Sequence, residues 1–449
     1  ISQYHVSADG TTLAYKAGTI FGLTGVDKAK VGEGKVNLSS VTIQINRIEE
    51  FMQIFNEAWR IERDWFYDAG MHGLNWTKAG EKYRKFVPYC GTREDLNYLI
   101  GEMISELNAG HTYIYGGDLS TSTRVSCGLL GADIVLENGY PKVKHIIKTD
   151  INDETAYSPL SEPGLGIKEG DFILAVDGVE IAKNDNFYKY FVNKANKIVE
   201  LTYNSKTSLE GAKTCLVKPV SNEVNLRYKE WIRDNSEYVT EKTDGKVGYV
   251  HIPGMMENGL IEFARLYYPQ YYKDGFIIDA RYNTGGFTSK QIIDRLERKP
   301  YGFVKPREGG VLNAMERAFN GKLILLINMD TGSDGELFSE AWKHHKLGTV
   351  IGMRTWGGAV GIEPHQTLID GATCTPPQFG EFTSEGKWII EGHGVDPDIV
   401  IMNMPGNVVK GIDEQLDKAI EVILQQIKES GNKTPEVPNY PDKSKETLK

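Results

Sequence analysis

The sequence predicts a multidomain fold of mixed α+β and α/β class, and three patterns support this prediction. The 449 residues are too many for one ordinary domain, since about 150 residues per domain would give about three domains. Apolar residues recur at helical spacing in residues 47–122, which indicates a helical subdomain. Short strand-like stretches with glycine-rich turns fill residues 123–222, and strands alternate with helices in residues 223–430. We therefore expect a helical unit, a small β-barrel-like unit and a layered α/β unit.

Composition and charge narrow the class of protein. Hydrophobic residues make up 40% and charged residues 25% of the chain, and no apolar run approaches the roughly 20 residues of a membrane span. We expect a soluble protein, and both the cytoplasm and the periplasm stay open. The net charge of −10 is spread along the chain, which disfavours a nucleic-acid partner. No CxxC pair or zinc spacing occurs among the four cysteines, Cys90, Cys127, Cys215 and Cys374.

Residues 1–46 read as β-hairpins. The stretch VSADGTTLAYKAGTIFGLTG has short alternating segments that are broken by turn signals, and it is too small to form a core of its own. We expect these residues to be the last strands of a larger β-structure. The sequence begins at Ile1 without a methionine or an apolar signal segment, so we expect the true N-terminus to be missing.

Two helices are predicted in residues 47–122. The first follows the helical spacing of RIEEFMQIFNEAWRIERDWFYD, and the second begins at a capping-box-like pair, Thr92 and Asp95. Asn108 and Gly110 end the second helix, and His111 follows at the head of the strand-like HTYIY. Taken alone, a histidine in this position is more often a cation that complements the helix dipole than a catalytic residue.

Residues 123–222 resemble a PDZ domain. The phrase GLLGADI is followed by GIKEGDFILAVDGVEI, and one helix-like piece is expected near residues 186–196. The resemblance implies that a loop cradles a peptide carboxylate while the peptide adds a strand to the domain edge; this loop is Gly128, Leu129, Leu130 and Gly131. The alternative is a packing domain whose groove is closed.

Residues 223–430 predict a largely parallel sheet layered with helices. The strands are KVGYVHIP, GFIIDAR, KLILLINM and GTVIGM, and a last helix is expected over residues 411–428. Residues 431–449 form a polar, lysine-rich tail that we expect to be disordered.

Ser333 lies where a buried strand passes into a helix. The run LILLI ends at Asn328, and Leu337 and Phe338 open a helical pattern, so the hydroxyl of Ser333 can project from the carboxyl end of the sheet. The amide of Asp334 would point unpaired from the first helical turn. These are the places for a nucleophile and an oxyanion donor. The alternative is that Ser333 is only a helix N-cap.

Five separated segments give the chain a resemblance to a known family. No Gly-x-Ser-x-Gly elbow is present, but ELNAGHTYIYGGD, IIDARYNTGG, NMDTGSDGELF, GMRTWGGAVGI and IIEGHGVDPDI occur in this order around the PDZ-like insertion. They resemble the core of the tricorn proteases, within the C-terminal-processing class of serine peptidases. The resemblance spans residues 47–428 and implies a crotonase-like sandwich for the layered core. It also implies that residues 1–46 are the remnant of an upstream propeller.

The resemblance implies a role for each matching residue. Ser333 would be the nucleophile, His111 the general base and Glu391 the acid that orients the base. The oxyanion donors would be the amide of Asp334 and that of Gly285 or Gly286. No metal or organic cofactor is expected, and the partners would be peptide or unfolded protein substrates. Whether the chain forms a homo-oligomer stays open.

The chain departs from the family pattern at Gly110. Tricorn itself has a serine before the histidine, and that serine helps to link the histidine to the glutamate. Glu391 would then reach His111 directly, through another hydroxyl or through an ordered water, and we favour the last two. We expect Gly110→Ser to preserve or improve activity.

The interpretation that follows is a serine endopeptidase acting through an acyl-enzyme intermediate. Two other classes of function are alternatives. One is a catalytically inactive peptide-binding scaffold in which only the PDZ-like domain works, and the other is an acyl-CoA enzyme of the crotonase type. Fold alone does not imply that second chemistry, which would give a serine nucleophile no purpose.

Overall fold

The computed structural model describes residues 1–150, 153–315, 317–363, 367–430 and 434–441. The chain begins with a three-stranded antiparallel sheet, which confirms the predicted hairpins: β1 Gln3–Val6, β2 Thr12–Ala17 and β3 Ile20–Gly25. Of the expected disordered tail, residues 431–433 and 442–449 lie outside the described residues. Residues 434–441 contain no helix or strand.

The helical segment, residues 47–122, contains three α-helices: α1 Arg47–Trp65, α2 Trp76–Arg84 and α3 Arg93–Ser105. The predicted start of α3 is confirmed, because Thr92 Oγ1 accepts a hydrogen bond from the Asp95 amide and the Asp95 carboxylate accepts one from the Thr92 amide. The apolar faces of α1 and α3 share one core, centred on Phe55, Leu96 and Ile100. A short strand, β4 Tyr113–Tyr115, follows.

The PDZ-like segment, residues 123–222, forms an antiparallel sheet in the order β10-β9-β7-β6-β5, with β8 paired to β7. Its strands are β5 Ala132–Glu137, β6 Tyr140–Ile146, β7 Phe172–Val176, β8 Val179–Glu180, β9 Val199–Asn204 and β10 Lys213–Val217. The helix expected near residues 186–196 is a shorter 3₁₀ turn over Phe187–Phe191. It cannot continue as a helix because Asn193 and Asn196 have φ angles of 59° and 63°.

The α/β segment, residues 223–430, is built on a five-stranded sheet in the order β11-β12-β15-β16-β20, and every pair in it is parallel. The predicted parallel sheet is therefore confirmed. Its strands are β11 Val247–His251, β12 Gly275–Asp279, β15 Lys322–Ile327, β16 Thr349–Gly352 and β20 Ile399–Val400. The shorter strands are β13 Phe303–Val304, β14 Leu312–Asn313, β17 Gly361–Ile362, β18 Thr373–Thr375 and β19 Pro377–Phe379.

Helices cover both faces of this sheet. They are α4 Val224–Lys242, α5 Glu257–Tyr267, α6 Ser289–Glu297, α7 Asp334–His344 and α9 Glu414–Ser430. The short α8, Pro405–Val408, has no buried residue. On β15, Leu323, Leu325 and Ile327 pack with α5, α6 and α7, while Ile324 and Leu326 pack with α4 and α9. Two-sided burial explains why LILLI is continuously apolar instead of alternating. No helix in the described part of the chain is long and apolar enough to cross a membrane.

Two pairings bring distant parts of the chain to one edge of this sheet. The carboxyl ends of β12 and β15 are neighbours, with Asp279 opposite Leu326, so the loops that follow these strands lie side by side. On the other side, β18 pairs antiparallel with β4, and Thr375 lies opposite Tyr113. The helical segment is thereby attached directly to the α/β segment, two residues beyond His111.

Candidate active site

Ser333 lies at the turn between β15 and α7, which confirms the predicted strand-to-helix position. Its φ and ψ angles are 55° and −126°, a conformation that a residue with a side chain adopts only when its surroundings impose it. The turn is tied to the loop after β12, since the Gly332 amide donates to the Asn283 carbonyl at 2.9 Å. Thr331 Oγ1 donates to the Ala280 carbonyl at 2.8 Å. Both bonds fix Ser333 against the neighbouring strand end.

The predicted oxyanion donors lie around Ser333 but are not equivalent. The Gly285 amide donates to Asn283 Oδ1 at 2.9 Å and is already engaged. Among the described residues, no hydrogen bond uses the amide of Gly286 or that of Asp334. A Cβ at Gly285 would lie 2.4 Å from Ser333 Cβ, so only glycine fits beside the serine.

His111 is held at the turn before β4. It has a φ of 61° and is 9% exposed, and its carbonyl accepts a hydrogen bond from Thr375 Oγ1 at 3.1 Å. The imidazole packs edge-on against Trp356, with ring centroids 5.3 Å apart. Burial lowers the pKa of His111, and the negative charge of Glu391 offsets part of that effect. Nδ1 is buried without a hydrogen-bond partner among the described residues.

Glu391 contacts the backbone beside His111 and makes no hydrogen bond to the imidazole. Its Oε1 accepts from the Gly110 amide at 2.6 Å, and its Oε2 accepts from the amides of Ala359 and Val360 at 2.8 and 3.0 Å. The direct link is therefore not made in this structure. The pKa of the Tyr113 hydroxyl is raised by burial and further by the charge of Glu391, which places this phenol within the field of the carboxylate.

A small cleft brings the predicted nucleophile and base together. It encloses about 290 Å³ and is lined by His111, Tyr113, Asn283, Thr284, Met329, Asp330, Gly332, Ser333 and Trp356. Glu391 is not in the lining, and it lies behind His111 through its bond to Gly110. The cleft thus brings a hydroxyl and an imidazole together, and the residue after Ser333 carries an unengaged amide. A nucleophile, a base and an oxyanion donor are the groups that acyl transfer requires.

One buried carboxylate beside Ser333 was not singled out from the sequence. Glu336 is 0% exposed and accepts hydrogen bonds from Thr355 Oγ1 and from the amides of Ser333, Gly357 and Gly358. Burial raises the pKa of Glu336, while these donors act in the opposite direction. The spacing Ser-x-x-Glu over residues 333–336 was the available signal, because it is a common start of a helix.

The PDZ-like loop is engaged by the chain itself. The amides of Gly128 and Leu129 donate to the carbonyls of Phe191 and Val220, at 2.9 and 2.8 Å. The Gly131 amide donates to Glu223 Oε1 at 2.7 Å, and the Leu130 carbonyl accepts from the Leu160 amide. A carboxylate is therefore bound at this loop, but it belongs to Glu223 rather than to a peptide.

No group of three or more His, Cys, Asp or Glu residues in the described part of the chain is arranged to hold a metal ion.

Three family models match successive parts of the chain. The "Tricorn protease C1 domain" matches residues 48–105, the "Tricorn protease PDZ domain" matches residues 128–222, and "Peptidase family S41" matches residues 246–401. The order of these matches follows the order of the helical, PDZ-like and α/β segments.

Several proteins are similar to this chain over most of its length. The tricorn protease of Thermoplasma volcanium is 35% identical over 396 residues, which are 88% of this chain and 38% of the relative. A putative Tricorn-like protease C-terminal subunit of Sulfurisphaera tokodaii is 37% identical over 399 residues, covering 88% of this chain and 46% of that protein. The crystal structure of the tricorn protease matches with a TM-score of 0.88 and 32% identity, over 95% of this chain and 42% of that one. The chain thus spans less than half the length of each of these relatives.

Proposed function

Because this chain belongs to the tricorn proteases and corresponds to their C-terminal catalytic region, we propose that it is a serine endopeptidase that cleaves oligopeptides or unfolded proteins. The observation that carries the proposal is the cleft that His111 and Ser333 share, next to a residue, Asp334, whose amide makes no hydrogen bond within the described part of the chain. Nothing in the comparisons supports the inactive scaffold. The crotonase-type acyl-CoA chemistry gains no support either, since the relatives in the comparisons are peptidases.

We propose that Ser333 attacks the scissile carbonyl and that His111 takes the hydroxyl proton. A general base must be neutral to accept a proton, and burial favours the neutral imidazole by lowering the pKa of His111. The proton would then pass from His111 to the leaving amine, and a water would hydrolyse the acyl-enzyme by the reverse sequence. No metal or organic cofactor enters these steps.

The developing oxyanion would be bound by the amides of Asp334 and Gly286. Both amides are unengaged among the described residues, whereas the Gly285 amide donates to Asn283. Gly285 would instead provide close approach, because its missing side chain leaves room beside Ser333. Of the two alternatives left by the sequence, we therefore favour Gly286.

Glu391 would act on His111 through charge and through the backbone. Its bond to the Gly110 amide fixes the turn that carries the imidazole, and its negative charge favours the imidazolium that forms during attack. Nδ1 of His111 has no hydrogen-bond partner among the described residues. We propose that a water or a neighbouring hydroxyl, either of which can donate or accept, forms this bond. Tyr113 is one candidate hydroxyl, because its ring centroid lies 6.0 Å from that of His111 and the charge of Glu391 contributes to raising its pKa.

The same proposal extends to the organisation of the chain. We propose a propeller remnant in residues 1–46, a helical subdomain with the base in 47–122, a PDZ-like domain in 123–222, a subdomain with the nucleophile in 223–430 and a polar tail in 431–449. The parallel sheet with helices on both faces is compatible with a crotonase-like sandwich. Peptides are the expected partners, and nucleic acid is not expected. Both a monomer and a homo-oligomer are compatible with the proposal.

Labelling with a fluorophosphonate and cleavage of a short unstructured peptide test the proposed function. We expect Ser333→Ala to keep the fold, to lose the label and to lower kcat on the order of a millionfold, the usual cost of losing such a nucleophile. Ser384→Ala is the control, because Ser384 is exposed and its hydroxyl donates to the neighbouring Glu385. Activity of Ser333→Ala within tenfold of the parent would remove Ser333 as the nucleophile.

A further inference from the structure

The carboxylate of Glu336 joins two loops that come from distant parts of the chain. Oε2 accepts hydrogen bonds from the amides of Ser333 and Gly358, at 3.2 and 2.8 Å. Oε1 accepts from Thr355 Oγ1 and from the Gly357 amide, both at 2.6 Å. One carboxylate therefore binds both the loop of residues 355–360 and the turn between β15 and α7 that carries Ser333, which we call the nucleophile turn.

The loop of residues 355–360 is in turn bound by Glu391. Glu336 accepts hydrogen bonds from the amides of Gly357 and Gly358, and Glu391 accepts them from the next two amides, those of Ala359 and Val360. The other oxygen of Glu391 binds the Gly110 amide beside His111. A continuous path of backbone hydrogen bonds to two carboxylates thus runs from Ser333 to His111.

Glu336 has the properties that this connection requires. Within the described residues no Lys, Arg or His forms an ion pair with it, so its charge is compensated by four donors and by its place in the first turn of α7. Both terminal oxygens of a carboxylate accept hydrogen bonds, as these four donors require. The amide of a glutamine would set its NH₂ group against two of the four donors.

The contact with Ser333 also has a direct consequence for the nucleophile. Its bond to Glu336 engages the Ser333 amide, which leaves the Asp334 amide as the free donor of this turn. The same bond contributes to holding Ser333 at its φ of 55°, which an unsupported serine does not favour.

We propose that Glu336 is a positioning residue that fixes the nucleophile turn against the loop bound by Glu391, and so sets the placement of Ser333 relative to His111. This inference rests on the proposed function. The competing explanation is that Glu336 only stabilises the start of α7, as an acidic residue in this place does in many helices.

Kinetics per active site separate the two explanations. We measure kcat and KM for a short unstructured peptide with Glu336→Gln, and count the competent sites by fluorophosphonate titration. A loosened nucleophile lowers kcat per titrated site by about a hundredfold and leaves KM within about threefold of the parent. A purely structural role lowers the thermal midpoint or the number of competent sites, while the remaining sites keep their kcat.

The matched control is Glu340→Gln, which removes the same charge from the next turn of α7 and is expected to keep kcat within about twofold. Thr355→Val serves if Glu336→Gln does not fold, because it removes one donor to Glu336, together with the acceptor of the Val395 amide. We expect it to lower kcat about tenfold at unchanged KM.

The outcomes distinguish this inference from the function beneath it. A parent that neither cleaves peptide nor takes the label refutes both. If the parent is fully active, a Glu336→Gln variant that keeps kcat within fivefold per titrated site refutes the positioning role alone. Where Thr355→Val is the variant used, an unchanged kcat has the same meaning.

Discussion

The relation between Glu391 and His111 gives a prediction at the scale of single residues. His111 must be neutral to act as a base, and burial lowers its pKa below the ordinary value of about 6.5. We therefore expect the acid limb of kcat/KM in the parent to have its midpoint below that pH. Glu391→Gln removes the charge that raises the pKa of His111, so the midpoint should move further down while kcat falls by about a hundredfold.

The pH profile of Glu391→Gln is measured on the same short peptide as the parent. An unchanged kcat would show that Glu391 does not assist the base, and another orienting group would have to be sought. A lowered kcat with an unmoved acid limb would leave Glu391 a role in fixing Gly110 but none through its charge.

Gly110 gives a second prediction, and here the structure revises what the sequence suggested. A Cβ at Gly110 would lie 3.3 Å from Glu391 Oε1, so a serine hydroxyl could reach the carboxylate. The same Cβ would lie only 2.9 Å from Gly358 Cα, which is backbone and must shift to make room. We now expect Gly110→Ser to lower kcat about tenfold and to reduce the thermal midpoint, instead of preserving or improving activity. Equal or higher kcat in this variant would contradict the revised expectation.

Ser333 and Glu336 show which parts of the site the sequence could predict. The position of Ser333 followed from a buried apolar run, a polar turn and a helical period, all within twenty residues. The spacing of Glu336 from Ser333 was visible too, but three of its four donors come from Thr355, Gly357 and Gly358, some twenty residues further on. Local patterns contain no information about contacts of that kind.

At the scale of elements, long periodic segments were predicted well and short ones were not. The buried strands β12 and β15 can be recognised in the sequence by continuous apolar runs, because both of their faces are covered. Strands β17 and β18 have two and three residues, too few for any period to appear, yet β18 attaches the helical segment by pairing with β4. The sequence predicts too long a helix around the 3₁₀ turn of residues 187–191, because the aromatic residues of this turn also fit a helical period.

The PDZ-like loop gives a prediction at this scale. Glu223 lies immediately before α4 and its carboxylate binds the Gly131 amide, while Arg227 of α4 pairs with Glu223 and with Asp133 of β5. If this loop is the carboxylate end of a peptide groove, the start of α4 occupies that end. We predict that Glu223→Ala frees the Gly131 amide and increases the affinity for a peptide with a free C-terminal carboxylate at least about tenfold.

Fluorescence anisotropy with a labelled peptide measures this affinity. The same peptide with an amidated C-terminus and the exposed Glu210→Ala variant are the controls, and neither should show the gain. If free and amidated peptides bind Glu223→Ala equally weakly, the segment is a packing domain with a closed groove, the alternative that the sequence left open.

At the scale of the whole molecule, the helical segment and the α/β segment are joined by buried polar contacts. Arg93 of α3 pairs with Asp370 at 2.6 Å, with both side chains almost fully buried. Glu62 of α1 accepts a hydrogen bond from the thiol of Cys374 at 3.5 Å, across a separation of 312 residues. The order of the segments could be predicted from the sequence, but such contacts could not, because no local pattern links residues that lie about 300 apart in the chain.

Glu62 makes the stability of this junction depend on pH. Its side chain is 0% exposed, no cation pairs with it in the described part of the chain, and its Oε2 has no partner there. Burial raises the pKa of Glu62 to about 8, which the hydrogen bond from Cys374 offsets only in part. In the unfolded chain the same carboxyl titrates near 4.5. Between these values the folded protein keeps a proton that the unfolded chain has lost.

The sign of the effect follows from that difference. The contribution of neutral Glu62 is fully present below about pH 4.5 and is lost as the pH rises through about 8, at about 1.4 kcal/mol per pH unit in the free energy of unfolding. Glu62→Gln stays neutral and removes this dependence. We expect the variant to be close to the parent in thermal midpoint at pH 5 and to exceed it at pH 8, whereas the exposed Glu81→Gln should follow the parent at both. The same difference between Glu62→Gln and the parent at pH 5 and pH 8 would show that Glu62 does not titrate in this range.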